Sequence, residues 1–274
     1  MKNLKLGIGT WHIGDDLSKR AEEISSIQYA LDHGIKLIDT AEMYGNGRSE
    51  ALVGEAIKGR KRDDLYLISK VLPGNANKER LEKSLDASLK RLGVDYLDQY
   101  LYHWRGATPL AETVAILEKM VQKGKIKSWG VSNFDTDDME ELFTVEGGEN
   151  CQSNQVLYHL GSRGIDYDLR PLLDKKKIMT IAYCPLAQAG RLREELLSNP
   201  VLKDLAKAKG ITVYQLLLLF ITSQENILPI PKASSLKHMK DNLEVLEMNL
   251  SSQEMDLLNR EYPKPTHKLP LDVE

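Results

Sequence analysis

The sequence has little cysteine, no long apolar run and no excess of charge of either sign. Its 274 residues include two cysteines, Cys151 and Cys184, which match neither a disulfide framework nor a metal-ligand spacing. We therefore expect no metal, and a reducing cytoplasm is the simplest compartment. No apolar stretch approaches the roughly 20 residues that a membrane-spanning helix needs, so we expect no membrane. Lys and Arg number 37 against 40 Asp and Glu, for a net charge of -3, which gives no support for binding to nucleic acid.

What is present suits one soluble α/β domain. Hydrophobic residues make up 42% and charged residues 28% of the chain, so it can form both a large core and a soluble surface. The opening stretch MKNLKLGIGTWHIG has a basic start but no long apolar segment, so we do not expect a signal peptide. The length is normal for a single α/β barrel of roughly 250 residues. We expect one domain over residues 1–274, acting as a monomer.

Short apolar runs alternate with longer amphipathic segments. The predicted strands are Leu4–Gly9, Lys36–Asp39, Leu65–Lys70, Leu97–His103, Ser128–Val131, Ser153–Leu157, Met179–Cys184 and Ile227–Pro231. The predicted helices include Lys78–Leu92, Ala111–Lys123, Asp135–Phe143, Val213–Ile221 and Leu236–Leu246. Alternating β and α elements imply a parallel sheet, and eight repeats favour closure into a (β/α)8 TIM barrel. The long segment Ala187–Asn226 is expected to contain two helices, the second buried.

A doubly wound nucleotide-binding sheet is the structural alternative. That fold requires a G-x-G-x-x-G turn after its first strand, with the last glycine allowing close helix packing. The nearest match runs from Gly7 to His12, and its sixth position is histidine. The pattern therefore favours the barrel.

Polar residues close three neighbouring predicted strands, and a tyrosine follows the first of them. Asp39, Lys70 and His103 each end a mostly apolar run, and Tyr44 lies shortly after Asp39. In an α/β barrel the carboxyl ends of the strands carry the chemistry. Each residue also has an ordinary explanation: a capping Asp, a solvated Lys, a packed His or a half-buried loop Tyr. Together, however, the four side chains would lie at the same open end of the predicted barrel, and their chemical groups complement one another.

The four side chains would form an acid catalyst. A buried Lys70 needs an anion, which Asp39 can supply. The ammonium would lower the pKa of Tyr44 from its reference of about 10. Tyr44 would then donate a proton to a carbonyl oxygen as hydride reaches the carbon, and a neutral His103 would donate a second hydrogen bond to that oxygen.

The chain resembles the aldo-keto reductase family in several separated motifs that occur in the same order. Asp39, Tyr44, Lys70 and His103 match the catalytic tetrad of that family in type, order and spacing. The further matching motifs are Gly9-Thr10-Trp11, DTAEMYGNGRSE, Gly130-Val131-Ser132-Asn133-Phe134, Asn154-Gln155, Ala182-Tyr183-Cys184-Pro185-Leu186 and Ile230-Pro231-Lys232. The resemblance covers nearly the whole chain and implies reduction of an aldehyde or ketone with NADPH, or with NADH as an alternative.

The resemblance also implies a cofactor site. Ser132, Asn133 and Gln155 would hold the nicotinamide carboxamide, and Tyr183 would stack on its ring. Lys232 would meet the 2′-phosphate. The remaining implied cofactor contacts are Thr10, Leu186, His238 and Asn242, the last of them to adenine. The alternative for Ser132 and Asn133 is capping of the helix that follows.

The chain departs from the family pattern at three places. His238 stands where many members have arginine, and a mostly neutral histidine grips a phosphate less well than a forked guanidinium. Cys184 replaces a common serine. The N-terminal hairpin that often plugs the barrel is expected to be absent or very short.

The tail Glu261–Glu274 is short, so we expect aromatic residues to form most of the substrate pocket. The predicted substrate contacts are Trp11, Tyr44, His103 and Trp104. The runs YHWRGATPL and NQVLYHLGSRGIDYDL resemble prokaryotic members that reduce small aldehydes, methylglyoxal among them.

Two other functions remain open from the sequence. Lys70 could be the nucleophile of a Schiff-base lyase, because barrel aldolases also use a strand-end lysine. The chain could also be a regulator that binds NADPH without turnover. The small carbonyl substrate is the partner that we expect.

Overall fold

Eight parallel strands lie side by side in chain order, each pairing with the next. The structure, a computed structural model, describes residues 4–274. The strands are β1 (Gly7–Gly9), β2 (Leu37–Asp39), β3 (Tyr66–Val71), β4 (Leu97–Tyr102), β5 (Ile126–Ser132), β6 (Ser153–Leu157), β7 (Met179–Tyr183) and β8 (Ile227–Pro229). All eight predicted strands are confirmed, although β1 begins at Gly7 rather than at Leu4. The expectation about an N-terminal hairpin falls partly on residues 1–3, which lie outside the described residues.

The sheet closes on itself where β1 meets the chain just after β8. The amide of Gly9 donates to the carbonyl of Pro231 at 3.0 Å, and Gly9 forms a parallel bridge with Lys232. A Cβ on Gly9 would lie 2.5 Å from the carbonyl oxygen of Ile230. Only glycine therefore permits this approach, and the TIM-barrel prediction is confirmed.

Helices surround the barrel in alternation with the strands. They are α1 (Arg20–Asp32), α2 (Arg48–Ala56), α3 (Leu81–Leu92), α4 (Leu110–Gln122), α5 (Thr136–Thr144), α6 (Leu169–Lys176), α7 (Arg191–Ser198), α8 (Pro200–Lys209), α9 (Val213–Thr222), α10 (Leu236–Glu244) and α11 (Ser252–Glu261). Short 3-10 turns occur at Leu17–Lys19, Tyr44–Gly47, Arg62–Asp64, Pro73–Asn75, Gly148–Asn150, Gly164–Asp166 and Val245–Glu247.

The segment between β7 and β8 contains three helices, so the prediction of two was wrong. Asn199 and Pro200 are the cause. Pro200 is the first residue of α8 and has no backbone N–H with which to continue α7. The Asn199 side chain accepts a hydrogen bond from the amide of Leu202 and so caps α8. The expectation that Val213–Ile221 is largely buried is confirmed, since Leu216–Ile221 are fully buried.

Apolar side chains pack on both faces of the strands. Inside the barrel the buried cluster comprises Leu37, Ile68, Leu101, Ile181, Leu228 and Ile230. A much larger cluster lies between the strands and the helices. This double burial explains why most strands are short and rich in apolar residues. Polar residues meet at the carboxyl ends of the strands.

One further feature concerns hydropathy. Among residues 4–274, no single helix is both long and apolar enough to cross a membrane. Only α8 and α9 taken together reach that length and hydropathy, and the chain bends by 84° between them.

Candidate active site

Lys70 lies at the centre of the polar cluster at the barrel mouth. Its Nζ donates to Asp39 Oδ2 at 2.7 Å, to the Thr40 carbonyl at 2.9 Å and to the Tyr44 hydroxyl oxygen at 3.0 Å. An ammonium has three donors, so all of them are used. Strand register produces this meeting, because Asp39 pairs with Ile68 and Lys70 lies two residues further along the same face of β3.

The Asp39–Lys70 pair is almost completely buried. Their side chains expose 2% and 0% of their surface. Burial raises the pKa of Asp39 and lowers the pKa of Lys70, while their mutual attraction opposes both shifts. The second carboxylate oxygen, Oδ1, accepts from Gln155 Nε2 at 2.7 Å. Each charge therefore depends on the other and on a closed set of hydrogen bonds.

A tight turn presents Tyr44 to this pair. Gly45, Asn46 and Gly47 all have positive φ, at 56°, 53° and 87°. Glycine and asparagine are the residues that adopt this backbone at least cost. The turn allows the chain to return into α2 immediately after Tyr44, so that the phenol reaches Lys70.

The predicted direction of the Tyr44 pKa is wrong. Burial raises the pKa of Tyr44 well above its ordinary value, and the negative charge of Asp39 adds to this effect. The loss of water is the largest cause, so it decides the direction. Tyr44 is therefore a protonated phenol at neutral pH.

His103 is a neutral ring beside the phenol. Burial, assisted by the positive charge of Lys70, lowers the pKa of His103 to about 2. The rings of His103 and Tyr44 meet edge to face, with centroids 5.9 Å apart. His103 Nδ1 is buried and has no hydrogen-bond partner within residues 4–274. A neutral ring at this place agrees with the role that the sequence suggests for His103.

Ser132 and Asn133 do not cap the next helix. Asp135 caps α5 and forms a reciprocal capping box with Asp138. Asn133 instead accepts from the Tyr183 hydroxyl at 2.8 Å through Oδ1 and donates to the His103 carbonyl at 3.2 Å. The capping alternative is thereby excluded, and these side chains face the mouth of the barrel.

Two other predicted cofactor residues use their side chains inside the protein. The Thr10 hydroxyl donates to the Asp39 carbonyl at 2.9 Å and accepts from Ser49 at 2.8 Å. The side-chain amide of Gln155 donates its hydrogen bond to the Asp39 carboxylate. The structure thus gives the side chains of Thr10 and Gln155 a part in positioning Asp39, which sequence reasoning missed.

One cavity of about 730 Å³ joins the mouth to a more distant end between α9 and α10. It has the size of a ligand pocket. The sequence-predicted residues that line it are Thr10, Trp11, Asp39, Tyr44, His103, Trp104, Ser132, Asn133, Gln155, Tyr183, Leu186, Lys232, His238 and Asn242. Lys70 lies behind Tyr44 and is fully buried. Every predicted site residue is therefore in the cavity or directly behind it.

Strained backbone accompanies this cavity. Four non-glycine residues with positive φ line it: His12, Asn133, Cys184 and Ala187. Such a conformation costs about 1–3 kcal/mol per residue and is concentrated at functional sites.

Sequence reasoning missed several other side chains that line the cavity, among them Arg193, Tyr214, Lys237 and Glu274. Arg193 and Glu274 line the cavity in addition to the four residues that we expect to contact the substrate. The tail is held by Lys268, whose Nζ lies 3.2 Å from Asp135 and 3.3 Å from Asp168. No local pattern in the sequence marks these positions, because helices and tail reach the cavity only through the fold.

Comparison with known proteins gives a consistent result. The model of the aldo/keto reductase family matches residues 5–262. Methylglyoxal reductase YeaE of Escherichia coli (strain K12) is 47% identical over 268 residues, which are 98% of this chain and 94% of that protein. The NADH-specific methylglyoxal reductase of the same strain is 29% identical, covering 93% of each chain.

A solved structure agrees with these sequence matches. The aldo/keto reductase from Klebsiella pneumoniae, crystallised with NADP and acetate, has a TM-score of 0.96 and 48% identity. The match covers 98% of this chain and 95% of that one. This chain is therefore an oxidoreductase that belongs to the aldo/keto reductase family.

Proposed function

We propose that this protein reduces small aldehydes and 2-oxoaldehydes to alcohols, with NADPH as the preferred cofactor and Tyr44 as the proton donor. The observation that carries the proposal is the contact between Lys70 Nζ and the Tyr44 hydroxyl at the wall of the cavity. The matched relatives support the substrate class, because one of them is named a methylglyoxal reductase.

Tyr44 is arranged to lose a proton only when charge develops on the substrate. Lys70 donates to the Tyr44 oxygen, so the phenol proton must point away from Lys70. As a hydride joins the carbonyl carbon, the carbonyl oxygen gains negative charge and takes this proton, which forms the alcohol. The Tyr44 oxygen is left anionic, and the adjacent ammonium stabilises it. The raised pKa keeps the phenol protonated until that moment.

His103 is proposed to orient the carbonyl oxygen. We assign its ring proton to Nε2, because a proton on Nδ1 would be buried without an acceptor in the described part of the chain. A neutral ring with a proton on Nε2 can donate one hydrogen bond and cannot compete with Tyr44 as an acid.

The cavity has the right donors for a nicotinamide dinucleotide. Bound there, the reduced dinucleotide supplies the hydride. Ser132 and Asn133 offer hydroxyl and amide groups for a carboxamide, and Tyr183 offers a ring face. At the other end Lys232 and His238 lie near the start of α10, whose first amides and dipole favour a phosphate.

The substrate end of the cavity suits a small molecule. The proposed contacts are Trp11 and Trp104 as apolar walls, with Tyr44 and His103 at the carbonyl oxygen. Trp11 is 36% exposed, so the mouth remains open to solvent.

The test is a panel of small aldehydes, 2-oxoaldehydes and ketones in which NADPH oxidation is followed by absorbance, repeated with NADH. We expect fastest turnover for 2-oxoaldehydes with NADPH. Equal lack of turnover across the panel, with NADPH binding intact, would favour the regulatory alternative instead.

The Schiff-base alternative is disfavoured by the state of Lys70. A nucleophilic lysine needs a free amine and access to the carbonyl carbon. Lys70 has no exposed surface, and its three donors are all bound. Borohydride trapping with methylglyoxal should therefore give no covalent adduct.

The proposal includes how the chain is organised and where it works. Residues 1–274 would act as one barrel domain and as a monomer in the cytoplasm, without nucleic acid or membrane. Light scattering after size-exclusion chromatography tests the monomer, and a mass near 62 kDa, twice the 30.9 kDa of one chain, would contradict it.

A further inference from the structure

The far end of the cavity is a slot between α9 and α10 that the protein holds in place by itself. Gln215 Nε2 donates to the Asp241 carbonyl at 3.1 Å and to Glu244 Oε2 at 2.9 Å, which joins the two helices. The oxygen of the same amide accepts from the Thr212 amide at 2.9 Å. One buried glutamine therefore sets both the start of α9 and its position against α10.

Tyr214 exposes its ring beside this buried glutamine. It is the second residue of α9, it lines the cavity and it is 42% exposed, whereas the residues that follow, Gln215 to Ile221, are buried. Within residues 4–274 the ring of Tyr214 has no aromatic partner. No Lys or Arg of the described residues lies over it either.

The position of this ring differs from that of the other aromatic residues in the cavity. Those residues end or follow strands and surround the catalytic end: Trp11, Tyr44, His103, Trp104 and Tyr183. Tyr214 instead shares the slot with His238 and Asn242, both carried by α10. A flat ligand that covered this ring would gain the free energy of burying apolar surface.

We infer that Tyr214 is a cofactor-binding residue whose ring stacks on the adenine of the dinucleotide, opposite the polar groups of α10. The inference rests on the proposed function, because it requires the dinucleotide to occupy this cavity. Aromatic rings stack on bases through their faces, so the contact needs no particular hydrogen-bond pattern. The stacking contact would not depend on the 2′-phosphate, because we propose that Lys232 and His238 recognise that group.

This gives Tyr214 a signature different from that of a phosphate ligand. Removal of the ring should weaken NADPH and NADH by the same factor. Loss of a base–aromatic stack by alanine substitution corresponds to about tenfold in Kd at the lower part of the usual range. Removal of the hydroxyl alone should change little, because stacking uses the ring.

Calorimetric titration with adenosine 2′,5′-bisphosphate, NADPH and NADH tests the inference. Tyr214→Ala should weaken all three by about tenfold, and Tyr214→Phe should bind each within about twofold of wild type. Tyr167→Ala is the matched control, because Tyr167 is 46% exposed and lies outside the lining of this cavity. Thermal melts confirm that each variant is folded.

The outcomes distinguish failure of the stacking inference from failure of the proposed reductase function. If wild type binds all three ligands and Tyr214→Ala binds them equally well, stacking on Tyr214 is wrong and the proposed function stands. If Tyr214→Phe loses as much affinity as Tyr214→Ala, the hydroxyl makes the contact and the stacking inference is wrong. If wild type binds none of the ligands, both the inference and the proposed function are overturned.

Discussion

The Nζ of Lys70 donates to the hydroxyl oxygen of Tyr44 at 3.0 Å, and this bond fixes where the phenol proton can go. The lysine has no exposed surface, so water cannot replace the contact. The two residues are 26 positions apart and come from β3 and from the turn after β2.

Tyr44→Phe removes the proposed proton donor and keeps the ring. We expect kcat to fall at least about a hundredfold, the low end for general acid catalysis, with the Kd of NADPH nearly unchanged. Steady-state kinetics and calorimetry measure the two quantities. Tyr167→Phe, which changes an exposed tyrosine outside the cavity, should behave as wild type. Near-normal turnover of Tyr44→Phe would show that another group is the acid.

Lys70→Met removes the ammonium and leaves Asp39 buried without its ion-pair partner. Breaking one side of a buried pair costs about 3–5 kcal/mol, so both turnover and the melting temperature should fall. Any remaining activity should show its tyrosine pKa shifted further upward, because the phenolate has lost its nearest cation. The double variant Asp39→Asn with Lys70→Met should recover stability without recovering turnover. Wild-type turnover of Lys70→Met across the pH range would contradict the mechanism.

The plot of kcat against pH for reduction should show no change that is caused by titration of His103. Burial and the Lys70 charge hold the pKa of His103 at about 2, so the ring is neutral at every pH above that and does not titrate between pH 5 and 8. Because the acid must be protonated, and burial raises the pKa of Tyr44, loss of kcat should begin only on the alkaline side of pH 10. A limb near pH 6.5 in wild type that is absent in His103→Gln would show that His103 titrates.

Lys232→Ala should weaken NADPH and leave NADH nearly unchanged, because only NADPH carries the 2′-phosphate. Lys232 is exposed, so we expect about tenfold in Kd, at the low end for a charged hydrogen bond. Lys240→Ala is the control, because Lys240 lies over the ring of Tyr29 and outside the cavity lining. Equal weakening of both cofactors would mean that Lys232 is structural.

His238→Arg should tighten NADPH relative to NADH. His238 lines the cavity on the first turn of α10, and the two-pronged guanidinium of an arginine there would bind a phosphate better than an imidazole ring. Calorimetry with both cofactors measures the change in preference. An unchanged ratio of the two Kd values would place the 2′-phosphate away from this turn.

Much of the fold followed from local pattern. The eight strands were predictable because strands covered on both faces are short apolar runs bounded by turns, and the order of elements permits only a parallel sheet. The split between α7 and α8 was missed although Asn199-Pro200 is visible, because the helical periodicity of the apolar residues continues across it. Residue type and order also pointed to Asp39, Tyr44, Lys70 and His103, which the structure brings together at the barrel mouth.

What the sequence by itself determined is therefore the set of chemical groups and the strand ends that carry them. Only the tertiary structure decided the protonation states and the depth of the cavity. The pKa of Tyr44 rises rather than falls, because burial at the barrel mouth removes water from the phenol and the negative charge of Asp39 adds to the effect. Gln155 and Thr10 became supports of Asp39 through contacts spanning 116 and 29 positions. Tyr214 reached the cavity only because Gln215 joins α9 to α10. Burial and long-range contacts arise from closure of the whole barrel, so no local stretch of sequence encodes them.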